Sequence, residues 1–275
     1  MRKYGAILAS LFLVAVLMAG CAGSPGGYLP GGTSSGETGY LRFLLSDDDS
    51  EVTAIGDFES VIITINKIGF QQGSESGSWI EPENYEPWTG DLLDLIGTNS
   101  TVIWEGYIDA GYYTKAFLYV SNVTGYLTPE AGGGEADIWV PSDKFQITMP
   151  EIPFTVTEDG AIVDFVFDVT VVKSGDSGQY LITPQVAESG PDQDYREVDD
   201  DDSDGEIKIR GTILTLAPDI WTVSVGDEEW SVNVTEAEIE GTPDVGLKAK
   251  IEGTIGEGDI ILASEVEVEE PEEGE

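Results

Sequence analysis

Short runs rich in Val, Ile, Thr and aromatic residues recur from Tyr40 to Val268, many of them separated by glycine-containing turns. A turn about every ten residues leaves room for strands and almost none for helices. Over residues 39–190 the runs are Tyr40–Leu45, Phe58–Phe70, Thr101–Ile108, Tyr112–Val120, Ala136–Val140, Lys144–Thr148, Phe154–Thr157, Ala161–Thr170 and Gln179–Val186. Their number and spacing indicate an all-β chain whose first domain is an antiparallel β-sandwich. Gly90–Ile96 fits neither period and reads as a helical turn across one end.

At Asp192 the composition changes. Nine of the fifteen residues from Asp192 to Glu206 are acidic, including Asp199-Asp200-Asp201-Asp202, and apolar periodicity stops. Residues 191–205 therefore read as an acidic linker. Beyond it, Ile207–Leu216, Trp221–Val225, Glu229–Val234, Leu247–Ile255 and Ile260–Val268 predict five strands. Five strands in residues 206–269 suggest a small OB-like β-barrel. Along Lys248–Ile255, positions 249, 251 and 255 are expected inside, with a bend or bulge at Gly253. Residues 270–275 form an acidic tail.

The amino terminus has a different character. Arg2 and Lys3 precede an apolar run from Gly5 to Met18, which ends at Met18-Ala19-Gly20-Cys21. That run is about 14 residues, shorter than a membrane span, and small residues suited to cleavage follow it. Residues 1–20 read as a lipoprotein signal peptide, Cys21 as the lipidated residue and 21–38 as a flexible Gly/Ser/Pro tether. The expected partner is the membrane, reached through the lipid anchor, with the protein on the outer face of the cell membrane. An uncleaved anchor with an incidental cysteine is the alternative.

Composition narrows function by exclusion. The net charge is −41, with 12 Lys and Arg against 53 Asp and Glu. A nucleic-acid partner is excluded, because phosphate binding needs clustered cations. Such acidity suits a salty habitat or a crowded cell surface. The chain has one Cys and no His, so no disulfide forms and His- or thiol-dependent catalysis and zinc binding are ruled out. With so many carboxylates, pairs at hydrolase spacing arise by chance, and no catalytic residue stands out.

Three groups of residues carry binding chemistry. Trp79 and Trp88 lie in a segment rich in Gly, Pro and Glu, where exposed rings stack on sugars; the other reading is that they cap the core. Trp104, Trp139, Trp221 and Trp230 sit in strand patterns and read as core. Asp200, Asp202 and Asp204, with Glu206 as a further oxygen source, have calcium-loop spacing but lack the closing Glu, where Gly211 stands. A weak calcium site or a solvated linker both fit, and no other cofactor is expected. Asn99 and Asn122 head sequons, as does Asn233, which lies at a strand end.

Gly39-Tyr40-Leu41-Arg42 leads to Ser46-Asp47, and Asp91-Leu92-Leu93-Asp94-Leu95 and Ala110-Gly111-Tyr112-Tyr113-Thr114 follow. Then come Val140-Pro141-Ser142-Asp143-Lys144-Phe145, Asp164-Phe165-Val166-Phe167-Asp168-Val169 and Val171-Val172-Lys173-Ser174, and finally Gly178-Gln179-Tyr180-Leu181-Ile182-Thr183-Pro184. Over Gly39 to Val186 this order resembles a family of exported bacterial and archaeal proteins, domain of unknown function 4382. Phe117 departs from it, standing where the family often has Arg. Residues Gly205 to Val268 are similar to domain of unknown function 5666, through Thr235-Glu236-Ala237-Glu238-Ile239 and Val245–Gly253. Both resemblances imply export, and neither implies an activity. The expectation is a lipid-anchored, surface-exposed, non-enzymatic envelope protein with a structural, adhesive or ligand-binding role toward surface proteins or glycans. The alternative is a glycan-binding module using exposed loop aromatics.

Overall fold

The computed structural model describes residues 37–47, 53–73, 77–142, 144–148, 154–157, 162–198 and 205–269. In chain order the first strands are β1 (Thr38–Asp47), β2 (Phe58–Gln72), β3 (Trp79–Ile80), β4 (Trp88–Asp91), β5 (Asn99–Asp109) and β6 (Gly111–Leu127). They continue as β7 (Gly134–Ala136), β8 (Ile138–Trp139), β9 (Lys144–Thr148), β10 (Phe154–Val156), β11 (Ile162–Ser174), β12 (Gln179–Pro184) and β13 (Tyr195–Glu197). The last six are β14 (Glu206–Leu216), β15 (Ile220–Val225), β16 (Glu228–Asn233), β17 (Glu238–Glu240), β18 (Lys248–Ile255) and β19 (Ile260–Val268). The chain is all-β, as its pattern predicts.

Two sheets form the sandwich. One has the order β8-β12-β11-β1-β5; the other is built on β2 and β6, with β3 and β4 on the free edge of β2 and β7, β9 and β10 on that of β6. Between them lies a core of Leu41, Phe43, Leu45, Ile63, Ile68, Phe70, Leu118, Phe165 and Phe167 among others. Burying each of these side chains stabilises by roughly 1.5–3 kcal/mol. In β2 the buried side chains run Val61, Ile63 and Ile65 after Phe58, then Ile68 and Phe70. The parity changes because the pairing of β2 with β6 slips between Thr64 and Lys67. A bulge there lets a run with apolar residues at both odd and even positions keep one face on the core. Leu92–Leu95 is a 3₁₀ turn capped by Asp91, whose carboxylate accepts from the Leu93 amide at 3.1 Å.

The first sheet is mixed: β1 pairs with β11 in parallel, with every intervening strand in the connection. A parallel pair requires such a crossover and leaves no mark on the period of either strand. Ala136–Val140, expected as one strand, divides at Asp137 into β7 on the second sheet and β8 on the first. That division turns Trp139 outward, 51% exposed rather than in the core.

Strands β14, β15, β16, β19 and β18 close into a five-stranded barrel, with β15 and β18 both paired to β14. Numbered along the chain, the order is 1-2-3-5-4, the arrangement of an OB-type barrel. Ile209, Ile213, Trp221, Val223, Val232, Ile251 and Ile261 fill it. The register of β18 against β19 shifts between Glu252 and Gly253, at the expected break. Ala249 and Ile251 face in, but Ile255 is exposed, since it ends β18 beyond the packed interior.

The segment expected as an unpacked acidic linker contains β13. It pairs with β5 in parallel and with β14 antiparallel, so sandwich sheet and barrel share one run of hydrogen-bonded strands. Tyr195 is 3% exposed and packs on Leu44 and Val166. One large aromatic outweighs the surrounding charge, a signal that a count of acidic residues does not register.

Gly211 sits where β14 pairs with β18 on one side and approaches β15 on the other, and a Cβ there would overlap the Ser224 carbonyl. Backbone closure of the barrel therefore excludes a side chain at this position. Gly211→Ala is expected to destabilise by about 1–3 kcal/mol, read as a lowered urea midpoint with unchanged slope.

Candidate functional site

The sequence candidates fall in separate places. Cys21, Asp200, Asp202 and Asp204 lie outside the described residues. Glu206 opens β14, exposed and paired with Thr254. Asn99 opens β5, its amide donating to the Asp94 carbonyl at 3.2 Å. Asn122 is exposed on β6, its amide 3.2 Å from the Thr124 hydroxyl. Among the described residues no group of three or more acidic side chains is placed to hold a metal.

Trp79 and Trp88 separate. Trp88 pairs with the buried Ile65 and packs against the sandwich core. Trp79 turns to the outer face of the second sheet and is 39% exposed. It lies over Gly69, where any Cβ would strike the indole, and meets Phe117 edge-on with centroids 4.3 Å apart. Two cross-strand rows surround it: Lys67, Tyr119 and Lys144 in one, Gly69, Phe117 and Gln146 in the other. The Lys144 ammonium stands 4.0 Å from the Phe117 centroid and 5.5 Å from that of Trp79. Glu81 accepts from the Trp79 indole at 2.8 Å and from Lys67 at 2.8 Å. Those two hydrogen bonds hold the Glu81 carboxyl below its ordinary range. They also fix the ring with its free surface outward, among polar groups able to donate and accept.

A second constellation, not found from sequence, joins sandwich to barrel. Leu41, Phe43 and Leu45 point into the core, so the alternation of a strand sets Arg42 on the opposite face. Asp164 stands beside it on β11, in register with Arg42. Asp164 accepts from Arg42 at 3.1 Å, from the Tyr195 hydroxyl at 2.9 Å and from Lys250 of β18 at 2.8 Å. Arg42 also pairs with Glu197 of β13. Lys250 reaches further, to the Ile162 carbonyl at 3.0 Å. Nearby, Arg210 makes a two-pronged pair with Glu269, both contacts at 2.6 Å, and donates to the Gln193 carbonyl at 2.8 Å. Lys248 binds Asp194 at 2.8 Å.

Arg42, Arg196, Lys208, Arg210, Lys248 and Lys250, six of the chain's 12 basic residues, gather at this junction. The signal in the sequence was a lone charge inside an apolar run, as at Leu41-Arg42-Phe43 and Val163-Asp164-Phe165. An outward-facing charge in a strand that is otherwise core-forming needs a partner, and here Arg42 and Asp164 pair with each other, with Glu197 and Tyr195 of β13 and with Lys250 of the barrel.

The electrostatics follow from burial and charge together. Burial alone would raise the Asp164 carboxyl, but Lys250, Arg42 and the hydrogen bonds from Lys250 and Tyr195 outweigh it and hold it below the ordinary 3.8. Burial, and then the neighbouring Asp164 charge, pushes the Tyr195 phenol well up, so it stays a donor. For Arg42, burial opposes the charge while Asp164 and Glu197 more than restore it.

Fold and site together define an all-β protein of two parts, a sandwich and a closed barrel bound through a charged seam, with an aromatic platform on the far sheet. Within it the chain belongs to the family described as Domain of unknown function (DUF4382), whose model matches residues 38–184. That span contains Trp79, Arg42 and Asp164 and ends before β13. No curated protein and no solved structure matches the chain.

Because the folded Asp164 carboxyl sits below its unfolded value, its contribution is present above about pH 4 and is lost as pH falls through the folded value. Asp164→Ala leaves Arg42 and Lys250 buried without their shared counter-charge. It should cost roughly 3–5 kcal/mol at pH 7, with a flatter loss of stability on acidification than the wild type. Urea titrations at pH 7 and pH 3 read both effects; parallel acid curves for the two proteins would remove Asp164 from the account.

Proposed function

We propose that the protein is a lipid-anchored, surface-displayed binding protein with no catalysis of its own, which takes a glycan on the outer face of its second sheet. The observation that carries this reading is the fixed, part-exposed Trp79 ring, bordered by Lys67, Lys144 and Glu81 and supported from beneath by Phe117. A sugar ring presents an apolar face ringed by hydroxyls, so it suits a flat aromatic surface with charged and amide groups at its rim. A purely structural role would not require a large indole held outward by a hydrogen bond to Glu81, itself fixed by Lys67. The non-enzymatic reading is supported at the seam: a catalytic acid needs a carboxyl held up near neutral pH, whereas Asp164 is driven the other way and fully paired.

The envelope location draws on the sequence around Cys21. A dilipid anchor stabilises membrane attachment by about 0.8 kcal/mol per buried CH₂, enough with two chains for lasting retention. High negative charge keeps a protein displayed on a crowded surface dispersed.

Two experiments test the proposal. Titration calorimetry against envelope polysaccharides of the producing cell should show saturable binding that Trp79→Ala weakens by about tenfold or more, while Trp88→Phe leaves it unchanged. Undiminished binding by Trp79→Ala would sink the platform. Cys21→Ser should shift the protein from the detergent-requiring membrane fraction to the medium, or leave the precursor uncut. A variant still recovered as a mature, detergent-requiring species would refute the anchor.

A further inference from the structure

A cavity of about 450 Å³ opens along the seam, on the face of the sandwich opposite the Trp79 platform. One wall belongs to the sandwich, where Tyr107, Tyr40 and Ile162 stand in a single cross-strand row. The two phenol rings meet nearly at right angles, with centroids 5.0 Å apart and planes at 80°, and so form an open corner. Tyr107 is 71% exposed and Ile162 45%, so apolar surface faces the opening. The Glu105 carboxylate lies beside the corner, in register with Arg42 in the next row, and bonds the Tyr40 hydroxyl.

The barrel supplies the facing wall: Lys208 with Glu252 and Glu265 in one cross-strand row, Lys250 with Glu267 in the next. Of the three basic residues lining the cavity, Arg42 and Lys250 are committed to Asp164, and Lys208 lies 3.3 Å from Glu252. Glu265 and Glu267 have no basic side chain within 4.0 Å among the described residues. The cavity therefore pairs an aromatic corner and an apolar row with a surplus of negative charge.

From this combination we infer that the seam cavity binds a small organic cation of the alkylated-ammonium class. Negative charge attracts any cation, but a hydrated metal ion gains nothing from Tyr107, Tyr40 and Ile162. A neutral sugar would use the rings and could donate to the carboxylates, but would leave their surplus charge uncompensated. A methylated ammonium uses both: its alkyl groups lie against the apolar row and its charge faces the ring quadrupoles and the carboxylates. This site is independent of the Trp79 platform, and either can fail alone.

Choline and its uncharged carbon isostere, 3,3-dimethylbutan-1-ol, separate charge recognition from shape. Heteronuclear NMR titration of the wild type should show saturable shifts at the seam with choline and at least about fivefold weaker binding of the isostere, as expected when a cation–π contact is removed. Tyr107→Leu keeps an apolar side chain but loses the quadrupole and should lose most of the affinity. Tyr107→Phe should restore it, Glu267→Gln should weaken it, and Trp79→Ala should leave it unchanged. Equal binding of choline and the isostere, equal binding by Tyr107→Leu, or no saturation below about 50 mM, well beyond the millimolar limit of useful affinity, would each overturn the assignment. An ammonium presented only on a lysine peptide, binding while choline does not, would do the same.

Discussion

Asp164 is where the two halves of this protein are tied together. Its carboxylate is nearly removed from solvent and holds three donors, one from each part it joins: Arg42 of the sandwich, Tyr195 of the bridging strand and Lys250 of the barrel. A buried charge of this kind has value only with all its partners present, since desolvation of a lone carboxylate costs more than any single pairing returns. The orientation of barrel to sandwich, the seating of β13 and the walls of the seam cavity all follow from satisfying that one group. Arg42 in turn ties in Glu197, and Arg210, held by Glu269 within the barrel, reaches the Gln193 carbonyl ahead of β13.

The surplus of carboxylates makes this choice intelligible. A chain with 53 acidic and 12 basic residues repels itself wherever two surfaces approach. Concentrating half of its cations at the one internal contact turns repulsion into cohesion there and leaves the remaining surface strongly negative. The arrangement divides the labour between the two halves of the composition: acidic residues keep molecules apart, and half of the few basic ones hold the two parts together. Of the basic residues outside the seam, Lys67 and Lys144 border the Trp79 platform, Lys67 over the Tyr119 ring and Lys144 over that of Trp79.

The strands were largely legible because a half-buried strand repeats every two residues and because Gly marks the turns. Tyr40–Leu45, Thr101–Ile108, Lys144–Thr148 and all five barrel strands lie where the pattern predicts. The bulge at Gly253 was legible for the same reason, and so was the turn at Leu92–Leu95. What escaped were features decided by distant partners. Nothing local distinguishes the parallel pairing of β1 with β11, or reveals that Asp137 carries the chain from one sheet to the other and leaves Trp139 outside. The segment after Asp192 looked like a solvated spacer because its charge hid Tyr195, whose place is set by Leu44, Val166 and Asp164, each far away in sequence. Of the two loop tryptophans, Trp79 is part-exposed on the outer face of the second sheet and Trp88 packs against the core. Arg42 and Asp164 were visible only as isolated charges, without the strand parity and the barrel that give them meaning.

The seam makes sandwich and barrel a single cooperative unit, and differential scanning calorimetry of the protein beginning after Cys21 reads that cooperativity. One transition is expected at neutral pH, with equal calorimetric and van't Hoff enthalpies, as for a two-state unit. Two separable transitions in the wild type, each with its own midpoint, would contradict it, because they would show that the charges around Asp164 do not bind the halves into one fold.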